Sequence, residues 1–391
     1  MAYRILSLDG GGAWALIQVK ALMSLYGADA KGHTVLGEFD LIAANSGGSI
    51  VLGGLVENLT LNQLLEYFSD ETKRRAIFSP SKSWGDWAIR KITGLGPKYS
   101  AANKLPALQR LLPQRGNLPL AIASAGIRRP GSGEDTRLLV VAFDYDLNRA
   151  KFFRSAASNN KWGKGVSTAA TLAEVIHAST NAPVNYFDGP AMLQAVPRRY
   201  WDGGITGCNN PVLAAVIEAL MLEKKPDEIV ALSIGTGTVC LPPTASGRAP
   251  YVRKPKSSGL ISDLTKLATS VLDDPPDAAT FNAHVMTAGG AGVNPPAISR
   301  IVRMNPLISP VSSAGQWTAP TGMTAETFDQ LVNLDMDAVA QKDVDAIIRF
   351  ADLWLKGHVS NQPIRMDWDT LDCEIGYRSF SDAQAAWSAV R

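Results

Sequence analysis

Two glycine-rich turns, each placed between a short apolar stretch and a helix-like stretch, constrain the fold of this chain more than any other feature. The first lies in "RILSLDGGGAWALIQ", which begins at Arg4 and runs through Asp9 into the consecutive glycines of residues 10–12. The second lies in "LIAANSGGSIVLGGL", which begins at Leu41 and has Ser46 in the turn. A strand that enters a helix through such a turn leaves backbone N–H groups free at the positive end of the helix dipole. Each turn is therefore suited to holding an anion.

Short apolar or β-branched stretches alternate with helix-length stretches along most of the chain. Strands are predicted at residues 4–8, 41–44, 118–125, 137–144 and 229–234. Helices are predicted at residues 13–26, 47–57, 61–72, 103–112, 171–178, 210–224, 261–272, 325–335 and 344–355. Because this alternation is typical of parallel strands joined by crossover helices, the sequence predicts an α/β fold with a layered, mostly parallel central sheet.

Two segments interrupt the alternation. Residues 73–117 carry prolines, tryptophans and basic residues between helical pieces, and they are predicted to form a lid-like helical insertion over one end of the sheet. Residues 241–324 are rich in Pro, Ser and Gly, with few clear strands. The second segment is predicted to be a long excursion before a C-terminal helical extension at about 325–356, with more helix in it than the pattern reveals, because structureless loops of that length are uncommon.

Composition and charge exclude several classes of protein. The 391 residues are 46% hydrophobic and 19% charged, which is typical of a globular chain and excludes a disordered one. With 38 basic against 36 acidic residues, the charge is too balanced for general binding of a nucleic-acid polymer. Three cysteines and four histidines lie far apart, so neither a disulfide framework nor a metal site is expected. The chain enters a strand at once and has no apolar run of about 20 residues, so we expect a cytoplasmic protein.

The second turn favours the oxyanion of acyl transfer over a nucleotide phosphate as the bound anion. The first turn alone fits either a nucleotide phosphate or the oxyanion of an acyl-transfer intermediate. In the second turn, Ala44 stands two residues before Ser46 and Gly48 two residues after it, which is the nucleophile-elbow pattern with its first glycine replaced by alanine. A nucleotide-binding module remains an alternative, but no Gly-Lys-Ser/Thr follows the first glycines and no acidic residue falls at the dinucleotide spacing.

A nucleophilic serine needs a base, and the best candidate is a carboxylate. In "RYWDGGITGCNNPVLAAV", Asp202 precedes two glycines, so its side chain can approach a serine without steric obstruction. His284 and His358 come late in the chain, as a triad histidine would, but neither lies in a recognisable strand-end loop. The sequence therefore indicates a Ser–Asp dyad, in which the carboxylate accepts the hydroxyl proton and returns it to the leaving oxygen.

These motifs, in this order, resemble the patatin-like phospholipase family. Five blocks carry the resemblance: "DGGG" at 9–12, "NSGGS" at 45–49, "ASTNAPVNYF" at 178–187, "DGG" followed by "NNP" at 202–211, and "LSIGTG" at 232–237. The stretches "PKYSAANKLPALQRLL" at 97–112 and "AFDYDLNRAKFFRS" at 142–155 are also similar to that family. The resemblance spans roughly residues 4–240, with weaker support from the C-terminal helices.

The resemblance implies a single domain over residues 1–391 with a three-layer α/β/α patatin-like fold. It implies hydrolysis of phospholipid acyl esters, without metal or cofactor, through an acyl-serine intermediate. Carried over by motif, Ser46 is the nucleophile and Asp202 the base, and the oxyanion hole is made by the amides of Gly10, Gly11 and Gly12. The chain departs from the family at Trp14, where the family usually has arginine, and at Ala44, where it has glycine.

The expected partner is a membrane phospholipid. Trp84 and Trp87 stand among Lys82, Arg90 and Lys91, a mixture that suits contact with anionic lipid, although an ordinary solvated lid fits it equally well. We therefore expect a cytoplasmic enzyme that is peripheral to the membrane when active. Some bacterial patatin-like proteins are antiphage effectors switched on by a cyclic dinucleotide, so the resemblance leaves such an activator as an alternative. Oligomeric state is left open.

Overall fold

The computed structural model describes residues 2–78, 98–155, 169–183, 186–194, 198–242, 251–252, 275–288, 299–313, 315–367 and 370–390. The predicted helix at 261–272 and the tryptophans and basic residues at 82–91 lie outside these ranges. Within the described ranges, no helix is both long enough and apolar enough to span a lipid bilayer.

The structure is built on one eight-stranded sheet. Its strands are β1 (Tyr3–Leu8), β2 (Leu41–Asn45), β3 (Arg137–Asp144), β4 (Arg149–Arg154), β5 (Ala191–Met192), β6 (Arg199–Asp202), β7 (Ile229–Ile234) and β9 (Ile301–Met304), where β8 (Thr238–Val239) belongs to a separate pair. The order is β5-β6-β3-β2-β1-β7-β9, with β4 also paired to β3. The strands β3, β2, β1, β7 and β9 are mutually parallel, and β4, β5 and β6 add an antiparallel edge. The described ranges also contain three short pairs: β8 with β10 (Leu307–Ile308), β11 (Val311–Ser313) with β12 (Gln316–Thr318), and β13 (Arg365–Asp367) with β14 (Asp372–Ile375).

Helices cover both faces of the sheet. The described α-helices are α1 (Leu16–Tyr26), α2 (Gly32–Leu36), α3 (Ser46–Val56), α4 (Leu61–Ser69), α5 (Glu71–Ile77), α6 (Ala101–Leu111), α7 (Leu120–Ala123), α8 (Leu172–Ser179), α9 (Val212–Met221), α10 (Pro275–Thr287), α11 (Ala325–Asn333), α12 (Gln341–Leu355) and α13 (Phe380–Val390). Side chains alternate across the central strands, so that Leu6 and Leu8 enter a core with α1, α3, α8 and α12, while Ile5 enters a second core with α9 and α10. The fold is therefore the predicted three-layer α/β/α arrangement.

Two predictions of secondary structure were wrong. The stretch predicted as a strand at 118–125 contains the short helix α7, because Pro119 precedes it and its carbonyl accepts the amides of Ile122 and Ala123. The excursion at 241–324 contains α10 and also β9, an edge strand of the main sheet that the sequence did not reveal. Arg303 interrupts the apolar run of β9, and its ion-pair partner, Asp9, lies far away in sequence.

The register of β3 fixes the geometry between two distant parts of the chain. Val141 pairs with Asn45, the last residue of β2, and the next residue, Ala142, pairs with Asp202, the last residue of β6. The ends of β2 and β6 therefore meet beside β3. Since Ser46 follows Asn45 directly, this register carries it to within reach of Asp202.

Candidate active site

Ser46 occupies a strained turn between β2 and α3. Its φ is +46°, in the left-handed region that residues other than glycine rarely adopt, while Asn45 before it is extended. The Ser46 amide donates to Ser179 Oγ at 2.9 Å. A Cβ on the following residue, Gly47, would lie 2.5 Å from the carbonyl oxygen of Gly12, so only glycine fits there. This is the geometry that the nucleophile-elbow pattern predicts.

Ser46 and Asp202, which sequence analysis proposed as a pair, are in direct contact. Ser46 Oγ donates to Asp202 Oδ2 at 2.5 Å, a short hydrogen bond to a charged acceptor. The other carboxylate oxygen, Oδ1, accepts the amide of Gly204 at 2.7 Å. Both side chains are buried, with 7% of Ser46 and 6% of Asp202 exposed. The carboxylate therefore has a fixed orientation, with one oxygen held by the backbone and the other directed at the hydroxyl.

Burial makes Asp202 a stronger base than an aspartate in water. Desolvation raises the pKa of its carboxyl, while the hydrogen bonds from Ser46 and Gly204 and the charge of Lys104 lower it, and the net direction is upward. A raised pKa means a greater affinity for a proton. Provided that Asp202 stays ionised, it can accept the proton of Ser46 more readily than an exposed carboxylate can.

The segment at the end of α8 joins the elements of the site. The carbonyl of Thr180 accepts Lys104 Nζ at 2.8 Å, and the carbonyl of the next residue, Asn181, accepts the amide of Asp202 at 3.0 Å. Ser179, which holds the amide of the elbow, comes directly before them. Three consecutive residues of the "ASTNAP" block thus bind the amide of Ser46, the ammonium of a buried lysine and the amide of Asp202, in that order.

Lys104 is the component of the site that sequence analysis missed. It lies on α6, is completely buried, and its Nζ is 3.6 Å from the ring centroid of Phe187. Burial lowers the pKa of Lys104 well below its usual value, against the opposing effect of Asp202. The signal was present in the sequence, because Lys104 stands on the same helical stripe as the buried Ala101, Ala107 and Leu108.

The glycine turn before α1 lies against the elbow. Gly12 has a φ of +56°, and a Cβ there would lie 2.3 Å from the carbonyl oxygen of Met336, so both conformation and space require glycine. The predicted set of oxyanion donors needs one correction, because the amide of Gly10 already donates to the carbonyl of Asn209 at 2.9 Å. Among the described residues, the amides of Gly11 and Gly12 have no such acceptor.

Asp9 orders the glycine turn through a buried ion pair. One carboxylate oxygen lies 2.6 Å from Arg303 of β9, and both side chains are almost fully buried. Burial raises the pKa of Asp9 to about 6, although Arg303 acts in the opposite direction, so the carboxyl is mainly ionised at neutral pH. Thr236, just after β7, donates to the carbonyl of Gly10 at 2.7 Å. The "LSIGTG" block thus stabilises the glycine turn through this hydrogen bond.

Trp14, the departure from the family pattern, ties the turn to the C-terminal part of the chain. Its Nε1 donates to the carbonyl of Asp335 at 3.2 Å, and its ring meets that of Phe350 edge to face with centroids 6.2 Å apart. The side chain is only 7% exposed. Its role in this structure is therefore packing beneath the site, and it does not line the cavity at Ser46.

A comparison with known protein families identifies the family of this chain. A family model described as patatin-like phospholipase matches residues 6–216, which is more than half of the chain. The chain belongs to this family. The resemblance inferred from its sequence blocks and the predicted patatin-like fold are thereby confirmed, and membership makes the chain a lipid hydrolase in general terms.

More distant comparisons add little. Among solved structures, VipD from Legionella pneumophila is similar at 11% identity with a TM-score of 0.36, covering 90% of this chain and 67% of that one. A likeness of that level carries no argument about substrate. No curated protein matches the chain.

The cavity beside Ser46 and Asp202 is narrow. Its volume is about 20 Å³, which is room for about one water molecule. Its apolar wall is formed by Ile50, Ile77, Phe78 and Met336. These side chains therefore limit the free space beside Ser46.

A loop between α11 and α12, residues 335–337, which we call the clasp, closes one side of this cavity. The carbonyl of Met336 accepts the amide of Ala13 at 3.0 Å. Lysine and tyrosine side chains also hold the two carboxylates of the loop: Lys98 with Asp335 at 2.9 Å and with Asp337 at 3.1 Å, Tyr99 with Asp337 at 2.6 Å, and Tyr186 with Asp335 at 2.5 Å. The C-terminal part of the chain thus contributes directly to the site.

Metal binding has no support in the described part of the chain, where no group of three or more His, Cys, Asp or Glu side chains is arranged to hold an ion. A larger cavity of about 320 Å³ lies along α12, beside Arg349 and Asp352, and shares no lining residue with the cavity of the dyad.

Proposed function

We propose that this protein hydrolyses acyl esters of membrane phospholipids through a Ser46–Asp202 dyad and an acyl-serine intermediate. The observation that carries the proposal is the 2.5 Å hydrogen bond from Ser46 Oγ to Asp202 Oδ2 at a strained, buried turn. Membership of the patatin-like phospholipase family supports lipid hydrolysis in general. The dyad, the phospholipid class and contact with a membrane surface are the parts that we add.

In the first half-reaction, Ser46 Oγ attacks the carbonyl carbon of the ester while its proton passes to Asp202 Oδ2. The tetrahedral intermediate then collapses, the bond to the alcohol oxygen breaks, and Asp202 returns the proton to that oxygen. The alcohol product leaves as a lysophospholipid, and the acyl group stays on Ser46. General-base assistance of this kind typically contributes about 10²–10⁴-fold to a rate.

In the second half-reaction, a water molecule takes the place of the alcohol. Asp202 accepts a proton from the water as the oxygen attacks the acyl-serine carbonyl. The second tetrahedral intermediate collapses to a free fatty acid, and Ser46 regains its proton from Asp202. The carboxylate alternates between base and acid and is unchanged at the end of the cycle.

Backbone amides are the proposed stabilisers of the oxyanion. Gly11 and Gly12 have amides without an acceptor among the described residues, and Gly12 and Gly47 both line the cavity of Ser46. The Gly47 amide belongs to the first turn of α3, where amides lack acceptors within the helix. Loss of one such donor typically costs about 10²–10³ in turnover.

The experiment measures fatty-acid release from vesicles of phosphatidylcholine and phosphatidylglycerol by mass spectrometry. We expect the wild-type protein to release fatty acid and Ser46→Ala to release none above background. For Asp202→Asn we expect a release rate at least about 100-fold below that of the wild type. Ser388→Ala and Asp372→Asn, at exposed positions, are the matched controls and should behave like wild type.

Two outcomes would contradict the proposal at different points. Wild-type release by Ser46→Ala would remove the assignment of the nucleophile. Hydrolysis of a soluble p-nitrophenyl ester without any release from vesicles would leave the dyad in place and exclude membrane phospholipid as the substrate.

A further inference from the structure

A completely buried lysine stands beside the dyad and has no ion-pair partner among the described residues. Lys104 Nζ donates to the neutral carbonyl of Thr180, and the ring centroid of Phe187 lies 3.6 Å from the ammonium. Burying an ammonium without a carboxylate in contact is costly, and an apolar side chain at such a position is commonly as stable or more stable. Stability of the fold therefore does not account for a lysine at this position.

The position of Lys104 connects it to Asp202 by two independent features. Both residues line the cavity of Ser46. Both are also fixed by one peptide segment, since Thr180 accepts the ammonium and Asn181 accepts the amide of Asp202. In this water-poor cavity a positive charge on Lys104 and a negative charge on Asp202 favour each other, and each group opposes the cost of burial of the other.

The other charged groups around Lys104 are occupied elsewhere or neutral. His177, on the adjacent α8, is buried, and burial and the charge of Lys104 both lower its pKa, so it is neutral at physiological pH. Arg74 of α5 donates to the carbonyls of Phe68 and Val339, and Asp188 accepts the amide of Ala101 at the start of α6. In addition, the carboxylate of Asp337 on the far side of the cavity accepts from Lys98 and Tyr99.

We propose that Lys104 is a positioning residue for catalysis, whose ammonium keeps the buried Asp202 ionised and thus able to accept the proton of Ser46. The inference rests on the proposed function, because it assigns Lys104 a role in the activity of that dyad. An Asp202 that is protonated donates its hydrogen bond to Ser46 and cannot act as the base. Without the neighbouring charge, burial alone would extend the protonated range of Asp202 towards neutral pH.

The test follows the reactivity of Ser46 directly, using the rate of covalent labelling by a fluorophosphonate between pH 4 and 9. In this reaction Ser46 Oγ bonds to phosphorus, fluoride leaves, and the serine proton passes to Asp202. For Lys104→Met, which keeps the length of the side chain without the charge, we expect the acid-side midpoint to move upward by about one pH unit. An unchanged midpoint would overturn the inference.

A second variant separates charge from hydrogen bonding. Lys104→Gln keeps a donor for the carbonyl of Thr180 but carries no charge, so we expect the same upward shift as in Lys104→Met. A wild-type midpoint in Lys104→Gln would mean that the hydrogen bond matters and the charge does not, and it would overturn the inference. A cooperative melting transition shows which variants are folded. If Lys104→Met is not folded, the midpoint of Lys104→Gln alone decides the test.

Failure of the dyad itself would be distinguishable. If wild-type protein is not labelled at Ser46 at any pH, the proposed function fails. If it is labelled at Ser46 and both Lys104 variants keep the wild-type midpoint, only the role of Lys104 fails.

Discussion

The carboxylate of Asp9 and the guanidinium of Arg303 form a buried ion pair, 2.6 Å apart, that joins the glycine turn after β1 to β9 across the sheet. Removal of one partner of such a pair leaves the other charge buried and unpaired, which typically costs about 3–5 kcal/mol. We therefore expect Asp9→Ala to lower the free energy of unfolding by about that amount in urea denaturation.

The exposed pair of Arg365 and Glu374, also 2.6 Å apart, offers a matched control for this prediction. Exposed ion pairs contribute about 0–1 kcal/mol, so Glu374→Ala should change the free energy of unfolding by no more than that. Equal effects of Asp9→Ala and Glu374→Ala would show that burial of the Asp9–Arg303 pair is not what matters.

The hydrogen bond from the Ser46 amide to Ser179 Oγ holds a strained turn in place. Ser179→Ala leaves that amide buried without an acceptor, at a typical cost of about 1–3 kcal/mol. We expect the variant to melt at a lower temperature and to lose turnover on a p-nitrophenyl ester, because the elbow relaxes. Ser388→Ala, at an exposed position of α13, should change neither quantity, and a fully active Ser179→Ala protein would contradict the role assigned to this bond.

The loss of activity on the acid side of the pH–activity profile should report the protonation of Asp202. The base works only when ionised, and burial raises its pKa above the usual value of 3.8, so activity must be lost as the pH falls through that raised value. We expect kcat/KM for a soluble ester to fall on the acid side with a midpoint clearly above 3.8. The thermal transition, followed over the same range, separates loss of the base from unfolding. A profile that stays flat down to pH 4 would exclude Asp202 as the base.

The side of the cavity formed by the clasp should affect which acyl-chain lengths the protein prefers as substrates. Met336 lines the narrow cavity at Ser46, so Met336→Ala should widen it. We expect the variant to gain kcat/KM on long-chain p-nitrophenyl esters relative to short-chain ones. Met192→Ala, whose side chain is 55% exposed, is the matched control and should keep the wild-type ratio. An unchanged chain-length preference in Met336→Ala would mean that acyl chains enter elsewhere.

The ends of the first two strands were predictable because their patterns are local. In residues 4–26 and again in residues 41–57, an apolar strand, a turn of small residues and a helix follow one another, and the structure has them at nearly the predicted bounds. The pairing of Ser46 with Asp202 was inferred from motifs. What brings the two residues into contact is the register of Val141 and Ala142, and no local pattern encodes a register between strands so far apart in sequence.

Other parts of the structure depend on contacts between distant residues and could not be predicted from local patterns. β9 carries Arg303 within a short apolar run, and the ion-pair partner of Arg303, Asp9, is at the other end of the chain, so no local pattern indicated this strand. Sequence analysis did not single out Lys104, whose helical stripe is buried in the structure. The contacts of the clasp with the glycine turn depend on the packing of α12 against α1, which helical periodicity does not specify.

The most direct test of the account is the site of covalent modification by a fluorophosphonate, located by mass spectrometry of peptides. We predict one adduct, on Ser46, formed much more slowly in Asp202→Asn and absent in Ser46→Ala. An adduct on a different serine, or wild-type hydrolysis by a protein that cannot be modified at Ser46, would contradict the dyad.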